Sequence, residues 1–142
     1  MAAATKHFQF VEDLGLGVHN LNTGTVKVML TLTAPTTANA VKADLTEIAA
    51  GSGYTAGGED TQNTFAESSG TATMTGTKVT WTSGGAFASF RYVDAYNDTP
   101  TSPADPLIMF WDYGSTLVLG SGETFDWRPN NSITTGTMLT IV

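Results

Sequence analysis

The sequence predicts an all-β protein, a single β-sandwich of jelly-roll type with about eight short strands and one short helix. Three observations support this fold class. Threonine, a β-branched residue that favours half-exposed sheet faces, occurs 25 times, and 15 glycines provide turns between strands. Residues 107–114, Leu-Ile-Met-Phe-Trp-Asp-Tyr-Gly, form an apolar run of strand length. Such a run is typical of a strand that is buried on both faces.

The N-terminal segment is expected to lie outside the sandwich. A chain of 142 residues has the size of one domain. Residues 1–9 are small and polar as far as Phe8, which predicts a flexible arm before a single sandwich domain over residues 10–142. Residues 10–22 have apolar side chains at helical spacing, but Gly15 and Gly17 would each cost roughly 1 kcal/mol inside a helix. We expect one short turn of helix there, or none.

Residues 25–33 have the clearest strand pattern in the chain. Four apolar side chains alternate with Lys, Met and Thr, which predicts one buried face and one mostly hydrated face. Residues 43–51 form the best helix candidate. Asp44 and Glu47 have the spacing of a capping box, and Gly51 can end a helix in the left-handed conformation.

The C-terminal half is predicted to consist of strands and turns. Residues 68–83 alternate Thr with other residues, so they form one long strand or two short strands broken at Gly76. Further strands are expected over residues 87–96, 107–114 and 115–119. The Gly-Ser-Gly-Glu turn at 120–123 predicts a hairpin that brings residues 124–127 back beside 116–119, and residues 137–142 form a closing strand.

Charge and composition exclude several functional classes. The formal net charge is −7 and only six residues are Lys or Arg, so we expect no nucleic-acid partner and no anionic membrane partner. Cysteine is absent, which excludes thiol nucleophiles, thiolate metal sites and disulfides. The chain has neither a signal-peptide core nor an 18-residue apolar run, so we expect a soluble protein made in the cytoplasm.

Few residues suggest catalysis or metal binding. His7 and His19 lack neighbours at metal-ligand spacing and are interpreted as surface or capping residues. Asp94 and Asp112 are the acids placed best for a carboxylate pair, but bonding to a turn amide, Arg91 or Arg128 explains them more simply. We therefore predict no enzyme, no cofactor and no metal site. A calcium site at Asp98 and Asp105 lacks the expected loop pattern.

Aromatic residues are numerous and allow three interpretations. They can form the core, stack against sugars on an exposed face, or form subunit contacts. The sequence does not distinguish these roles. The residues concerned are Phe87, Phe90, Tyr92, Tyr96, Phe110, Trp111, Tyr113, Phe125 and Trp127.

Five segments together resemble a family of small structural proteins of tailed bacteriophages. They are residues 10–21 (Phe-Val-Glu-Asp-Leu-Gly-Leu-Gly-Val-His-Asn-Leu), 43–55 (Ala-Asp-Leu-Thr-Glu-Ile-Ala-Ala-Gly-Ser-Gly-Tyr-Thr), 90–98 (Phe-Arg-Tyr-Val-Asp-Ala-Tyr-Asn-Asp), 106–114 and 119–125. These segments follow one another over most of the chain. The resemblance does not extend to residues 59–80 or to the segment after Arg128.

The resemblance implies a virion component, most plausibly a head decoration (cement) protein. Such a protein binds the major capsid protein on the outer head surface and stabilises the shell, often as a homotrimer. The assembly contacts expected on this basis are Phe8, Phe10 and Trp127. The alternative is a tail or fibre-associated protein that binds host surface glycans through exposed aromatic residues.

Overall fold

The computed structural model describes residues 1–142 and confirms the all-β, sandwich-like fold class. Ten strands, one α-helix and two single-turn 3₁₀ helices make up the regular structure. The 3₁₀ helices lie at Lys42–Asp44 and Pro129–Asn131. The remaining elements are β1 (Thr5–Lys6), α1 (Phe8–Gly15), β2 (Val26–Thr31), β3 (Glu59–Asp60), β4 (Thr64–Ser68), β5 (Thr71–Thr77), β6 (Val79–Thr82), β7 (Phe90–Asn97), β8 (Leu107–Leu117), β9 (Thr124–Trp127) and β10 (Thr135–Ile141).

The strands form three antiparallel sheets. The largest has the order β1-β8-β7-β2-β3, the second has the order β10-β5-β4, and β6 pairs with β9 in the third. A core of 21 buried residues lies between them, with Leu30 and Val93 from the large sheet facing Met74, Trp81 and Phe125 from the smaller sheets. Because the longer strands contribute alternate side chains to this core, the period-2 patterns in the sequence are explained.

The opposite face of the five-stranded sheet is also covered. Met29, Tyr96 and Leu107 are fully buried there, and Leu45 packs over them. Leu45 belongs to the irregular segment between β2 and β3, which is hydrogen-bonded to the sheet through Leu107 N–H to the Ala40 carbonyl at 2.9 Å. This segment buries the outer face of the central strands, so the two-sided burial predicted for residues 107–114 holds from Leu107 to Met109, whereas Tyr113 and Gly114 are exposed.

The N-terminal segment is docked on the sheet, in contrast to the flexible arm that we expected. Ala2 N–H donates to the Asp112 carbonyl at 3.0 Å, and Thr5 pairs with Phe110 in the register of β1 with β8. His7 is fully buried, and its ring packs on Phe110 with 5.2 Å between centroids. Pairing with β8 and the buried His7 ring therefore hold the N-terminal segment on the sheet, although its residues are mostly small and polar.

The α-helix occurs at Phe8–Gly15, and the helix predicted over residues 43–51 is absent. The carboxylate of Asp44 accepts from the amides of Ala40 and Val41, at 2.8 and 3.2 Å, and so stabilises a single 3₁₀ turn. Beyond that turn, Ile48 N–H donates to the Leu30 carbonyl at 3.0 Å, which keeps the chain extended along β2. Tertiary hydrogen bonds therefore override the local capping signal.

Three strand predictions also need correction. Residues 124–127 pair with β6 rather than with residues 116–119, because Trp81 stacks on Phe125 with 5.8 Å between ring centroids. The predicted strands over 107–114 and 115–119 are one strand, β8. The break in the Thr-rich region falls at Lys78, whereas Gly76 stays within β5 because the Met138 side chain occupies the space that a Cβ would need.

The face assignment of residues 25–33 was partly wrong. Val26, Val28 and Leu30 are fully buried as predicted, but Met29 and Thr31 on the supposedly hydrated face are also fully buried. The next apolar residue, Leu32, is exposed because β2 ends at Thr31.

The helices of this structure are short, and none has the length and apolar character that a membrane-spanning helix requires.

Candidate functional site: the outward face of helix α1

Helix α1 carries three large apolar side chains that point into solvent. Phe8 is 68%, Val11 54% and Leu16 71% exposed. Phe8 and Val11 are neighbours at i, i+3 spacing, and Leu16 caps the same helix two turns after Phe8. We call these three residues the α1 apolar stripe. Other exposed apolar side chains are more widely spaced along the chain, so this is the densest such group in the sequence.

The opposite side of α1 is anchored in the core. Phe10 is 2% exposed and packs against the His19 ring with 5.0 Å between centroids, and Leu14 also packs on the core. Phe8 N–H donates to the Thr37 carbonyl at 2.9 Å, which satisfies an amide in the first turn. The helix thus has apolar residues on both sides, although only one side is covered by its own chain.

A glycine motif ends α1 sharply. The helix is longer than predicted because Gly17, which was expected to disfavour a helix here, lies just beyond its end. Gly17 has φ +76°, its N–H donates to the Leu14 carbonyl, and Val18 N–H donates to the Asp13 carbonyl at 2.9 Å. This pair of bonds is the Schellman motif, in which a glycine after the helix adopts the left-handed conformation. Gly17 therefore stops the helix instead of weakening its interior, and the motif fixes where Leu16 projects.

Polar groups lie beside the stripe. Gln9 Nε2 donates to Glu12 at 3.2 Å and to Asp13 at 3.1 Å. Asp13 is 4% exposed, whereas Glu12 is exposed. No basic residue lies in α1. The surface that the helix presents is therefore apolar with an acidic edge.

Only one of the three predicted assembly contacts lies on the surface. Phe8 is in the α1 apolar stripe. Phe10 is in the core, and Trp127 is fully buried on β9 against Trp111, with 5.1 Å between ring centroids. Those two residues cannot contact another protein in this structure. Val11 and Leu16 were missed, although their helical spacing from Phe8 is visible in the sequence.

The two candidate acids occupy unlike environments and do not form a cleft. Asp94 is fully buried, and its Oδ2 accepts from the Thr31 hydroxyl at 2.9 Å. Burial raises the pKa of Asp94 to about 7. Asp112 accepts two bonds from Arg91, each 2.8 Å, and one from Gly114 N–H. The Arg91 guanidinium lowers the pKa of Asp112 to about 2. The simpler interpretation holds for Asp112, whereas Asp94 pairs with Thr31 instead of arginine.

Both histidines are buried, in contrast to the predicted surface or capping roles. His7 is the residue that precedes α1, yet its side chain makes no capping bond. His19 is 5% exposed, and its Nδ1 lies 3.4 Å from Asn97 Nδ2. Burial lowers the pKa of both rings, although the Asp13 carboxylate opposes this at His19. The two imidazoles are therefore favoured in the neutral form and pack on aromatic rings as part of the protein interior.

The acids considered for calcium are used elsewhere or stand apart. Asp98 forms an ion pair with Lys27 at 2.8 Å. No group of three or more His, Cys, Asp or Glu side chains is arranged to hold a metal ion. The largest cavity, about 390 Å³, lies between residues 1–4 and β10, and its charged group, Arg128, is bonded to Asp126 at 2.7 Å.

Most aromatic side chains belong to the core. Of the 14 Phe, Trp and Tyr residues, only Phe8 and Tyr113 are exposed. They lie on α1 and on the second half of β8. Stacking of a sugar needs an accessible ring face, so the structure offers few platforms for glycan binding through aromatic residues.

Comparisons with known proteins identified no relative: no protein-family model, curated protein or solved structure matches this chain.

Proposed function

We propose that this chain is a structural protein of a tailed-bacteriophage virion, a head decoration (cement) protein that binds the major capsid protein on the outer surface of the head. The α1 apolar stripe is the capsid-facing contact. The observation that carries the proposal is the exposure of Phe8, Val11 and Leu16 on a helix whose other side is fixed in the core. The sequence resemblance supplies the identity of the partner.

The size of the stripe supports a contact of useful strength. Full burial of one large apolar side chain contributes about 1.5–3 kcal/mol. Three such residues provide several kcal/mol before the costs of association are subtracted. Because α1 is already folded and anchored, little further conformational entropy is lost on binding. Repetition of the contact over a symmetric shell would then stabilise the whole particle.

Charge supports the outer surface as the location. The net charge is −7, and Glu12 borders the stripe. An acidic protein is repelled by packaged nucleic acid and by identical copies. The capsid surface that receives α1 is therefore an apolar groove with a neutral or basic rim.

The placement of the resembling segments also supports a shared scaffold. Residues 90–98 contain the whole of β7, residues 106–114 contain the first part of β8, and residues 10–21 contain α1 from Phe10 onward. The segments outside the resemblance include β4, β5 and β10, which form the second sheet. The resemblance thus covers the adjacent strands β7 and β8 and most of α1, whereas Phe8 and strands β1, β2 and β3 lie outside it.

A capsid-binding experiment tests the proposal. The double variant Phe8→Ser with Leu16→Ser replaces two exposed apolar side chains by polar ones. In co-sedimentation with heads that lack this chain, we expect its binding to be at least about 100-fold weaker than that of the unmodified protein. The matched control is Val118→Ser with Ile133→Ser, since these residues are 72% and 71% exposed elsewhere on the surface.

The control variant should bind like the unmodified protein, and both variants should unfold at the same urea concentration. If the unmodified protein does not bind heads, the decoration function is wrong. If it binds and the Phe8/Leu16 variant binds equally well, the function stands but the α1 apolar stripe is not the contact.

A further inference from the structure

Strand β4 forms an open edge of the three-stranded sheet. It pairs with β5 over all five residues in a regular register, and no other strand lies on its far side. Four of its five residues are exposed, and the strand contains neither Pro nor Lys; its one charged residue, Glu67, is bonded to Gly70 N–H within the hairpin. Proteins usually protect an edge with a short strand, a bulge, proline or lysine, because an open edge is a template for further pairing.

The other edges of the two larger sheets are protected in these ways. β1 and β3 have two residues each. β10 has a register shift between Thr137 and Leu139. Where β2 extends past β3, both backbone groups of Leu30 already have hydrogen-bond partners. The Leu30 carbonyl accepts from Ile48 N–H, and the Leu30 N–H donates to the Tyr54 hydroxyl. β4 therefore lacks the protection found at these edges.

The turn between β4 and β5 defines which backbone groups face outward. Ser69 and Gly70 have φ values of +53° and +83°, which is the pattern of a two-residue type I′ hairpin. Ser68 and Thr71 close such a turn as a hydrogen-bonded pair, and bonded pairs then alternate along the ladder. The N–H and C=O groups of Phe65 and Glu67 consequently point away from β5, and no other backbone segment bonds to them.

We infer that β4 pairs antiparallel with β4 of a second copy of this chain, about a two-fold axis at Ala66. In this register Phe65 of each copy faces Glu67 of the other. Both residues carry outward N–H and C=O groups, so two such pairs make four hydrogen bonds. The two three-stranded sheets become one six-stranded sheet. This surface is separate from the α1 apolar stripe, and the inference does not depend on capsid binding.

Other antiparallel registers of β4 against β4 are less favourable, because they bring like charges together or leave outward backbone groups unpaired. A register that places Glu67 opposite Glu67 sets two carboxylates side by side, which is unfavourable. A register centred on Phe65 leaves Glu67 of each copy beyond the end of the partner strand. The Ala66 register avoids both problems, and the residues beside the axis on the outer face, Thr64, Ala66 and Ser68, are small enough to allow close approach.

The joined outer face would be free of charge. In each copy it presents Thr71, Thr73 and Thr75 from β5 beside the small residues of β4. Two copies of a protein with net charge −7 repel each other, so charge elsewhere weakens the pairing. We therefore expect added salt to strengthen it by screening that repulsion. The resulting assembly is a dimer, whereas the family resemblance implies a trimer.

Cysteine pairing tests the inference and its register, since the chain contains no cysteine. Residues opposite each other in a non-hydrogen-bonded pair have Cα atoms about 4.5 Å apart, within reach of a disulfide. We expect Ala66→Cys to form a covalent dimer on mild oxidation. Thr64→Cys alone and Ser68→Cys alone should not, whereas an equimolar mixture of the two should give mixed dimers.

The outcomes discriminate clearly. If Ala66→Cys cross-links no faster than Thr64→Cys alone, the proposed register is wrong. If sedimentation of the unmodified chain shows only monomer up to about 1 mM in high salt, where an association of about 4 kcal/mol would be visible, the pairing itself is wrong.

A proline variant tests the role of the backbone. Glu67→Pro removes an outward N–H that the pairing with β5 does not use, and we expect at least a tenfold loss of self-association. Glu67→Ala is the control because it removes the same carboxylate, which accepts from Gly70 N–H at 2.6 Å, but keeps the outward N–H. Equal association of the two variants would overturn backbone pairing at this edge.

Discussion

The five-stranded and three-stranded sheets share the same core but differ on their outer faces. The outer face of the five-stranded sheet holds Met29, Asp94 and Tyr96, all fully buried. The outer face of the three-stranded sheet holds Thr73 and Thr75, which remain partly accessible. One sheet is covered by a loop and the other is hydrated.

The difference arises from the connecting segments more than from the strands. The chain between β2 and β3 crosses the large sheet and places Leu45 on it, while a two-residue turn joins β4 to β5 and covers nothing. A strand with an amphipathic sequence can therefore be buried on both sides when a long connection lies over it. For this reason the exposure of a face depends on residues far from that strand.

The largest expected contrast is between equivalent outer-face positions in the two sheets. Met29→Ala removes a fully buried side chain, and we expect it to lower the free energy of unfolding by about 2–5 kcal/mol. Thr73→Ala, at the centre of the other outer face, should change that energy by no more than about 0.5 kcal/mol. Urea unfolding measures both. Similar losses would mean that the loop does not cover the large sheet in solution.

The second contrast concerns pH. Because burial raises the pKa of Asp94 to about 7, the folded protein holds a proton there that the unfolded chain loses above its ordinary value of about 3.9. The contribution of Asp94 to stability is therefore largest below pH 4, falls as the pH rises toward 7 by on the order of 1 kcal/mol per unit, and is level above 7.

Asp94→Asn should remove this contribution, which the difference between the variant and the unmodified protein in chemical unfolding at several pH values measures. The three-stranded sheet has one titratable side chain, the exposed Glu67, so Glu67→Gln serves as the control and should leave the slope unchanged. If the stability of Asp94→Asn changes with pH as that of the unmodified protein does, the assignment to Asp94 is wrong.

The smallest expected effect concerns the edge of β2. The Tyr54 hydroxyl accepts from Leu30 N–H at 3.1 Å and donates to Glu47 at 2.6 Å. Tyr54→Phe leaves Leu30 N–H without its partner, whereas Glu47 still accepts from Gly57 N–H, and we expect a loss of about 1–2 kcal/mol in unfolding free energy. Tyr113→Phe removes an exposed hydroxyl and should cost nothing measurable. If the two variants are equally stable, the hydroxyl does not protect this edge.

Sequence patterns predicted the strands whose environment is determined locally. The apolar run in β8 and the alternation in β2 identified both strands because their inner faces pack on the core whatever covers the outside. The Thr-rich stretch likewise identified β5 and β6. The all-β class followed from composition and these patterns together.

The errors came from side chains whose partners are distant in sequence. Asp44 and Glu47 resembled helix caps, but they bond to loop amides and to Tyr54. Strand β9 resembled the second arm of a hairpin with β8, but Trp81 attracts Phe125 to β6 instead. For the candidate site, Phe8 was predicted as an assembly contact and is exposed. Phe10 was not, because only the docking of α1 decides which side of the helix meets the core.

The order of the strands along the chain has a kinetic consequence. Val26 of β2 meets Asn97 of β7, and Thr5 of β1 meets Phe110 of β8, so most pairings close long loops. The β4–β5 hairpin and the β7–β8 pair, which residues 98–106 connect, are the pairs that can form from local sequence. Non-local pairing slows folding because loop entropy is lost before contacts repay it. On the ribosome, β2 must therefore wait for β7, and the sandwich closes only when β10 reaches β5.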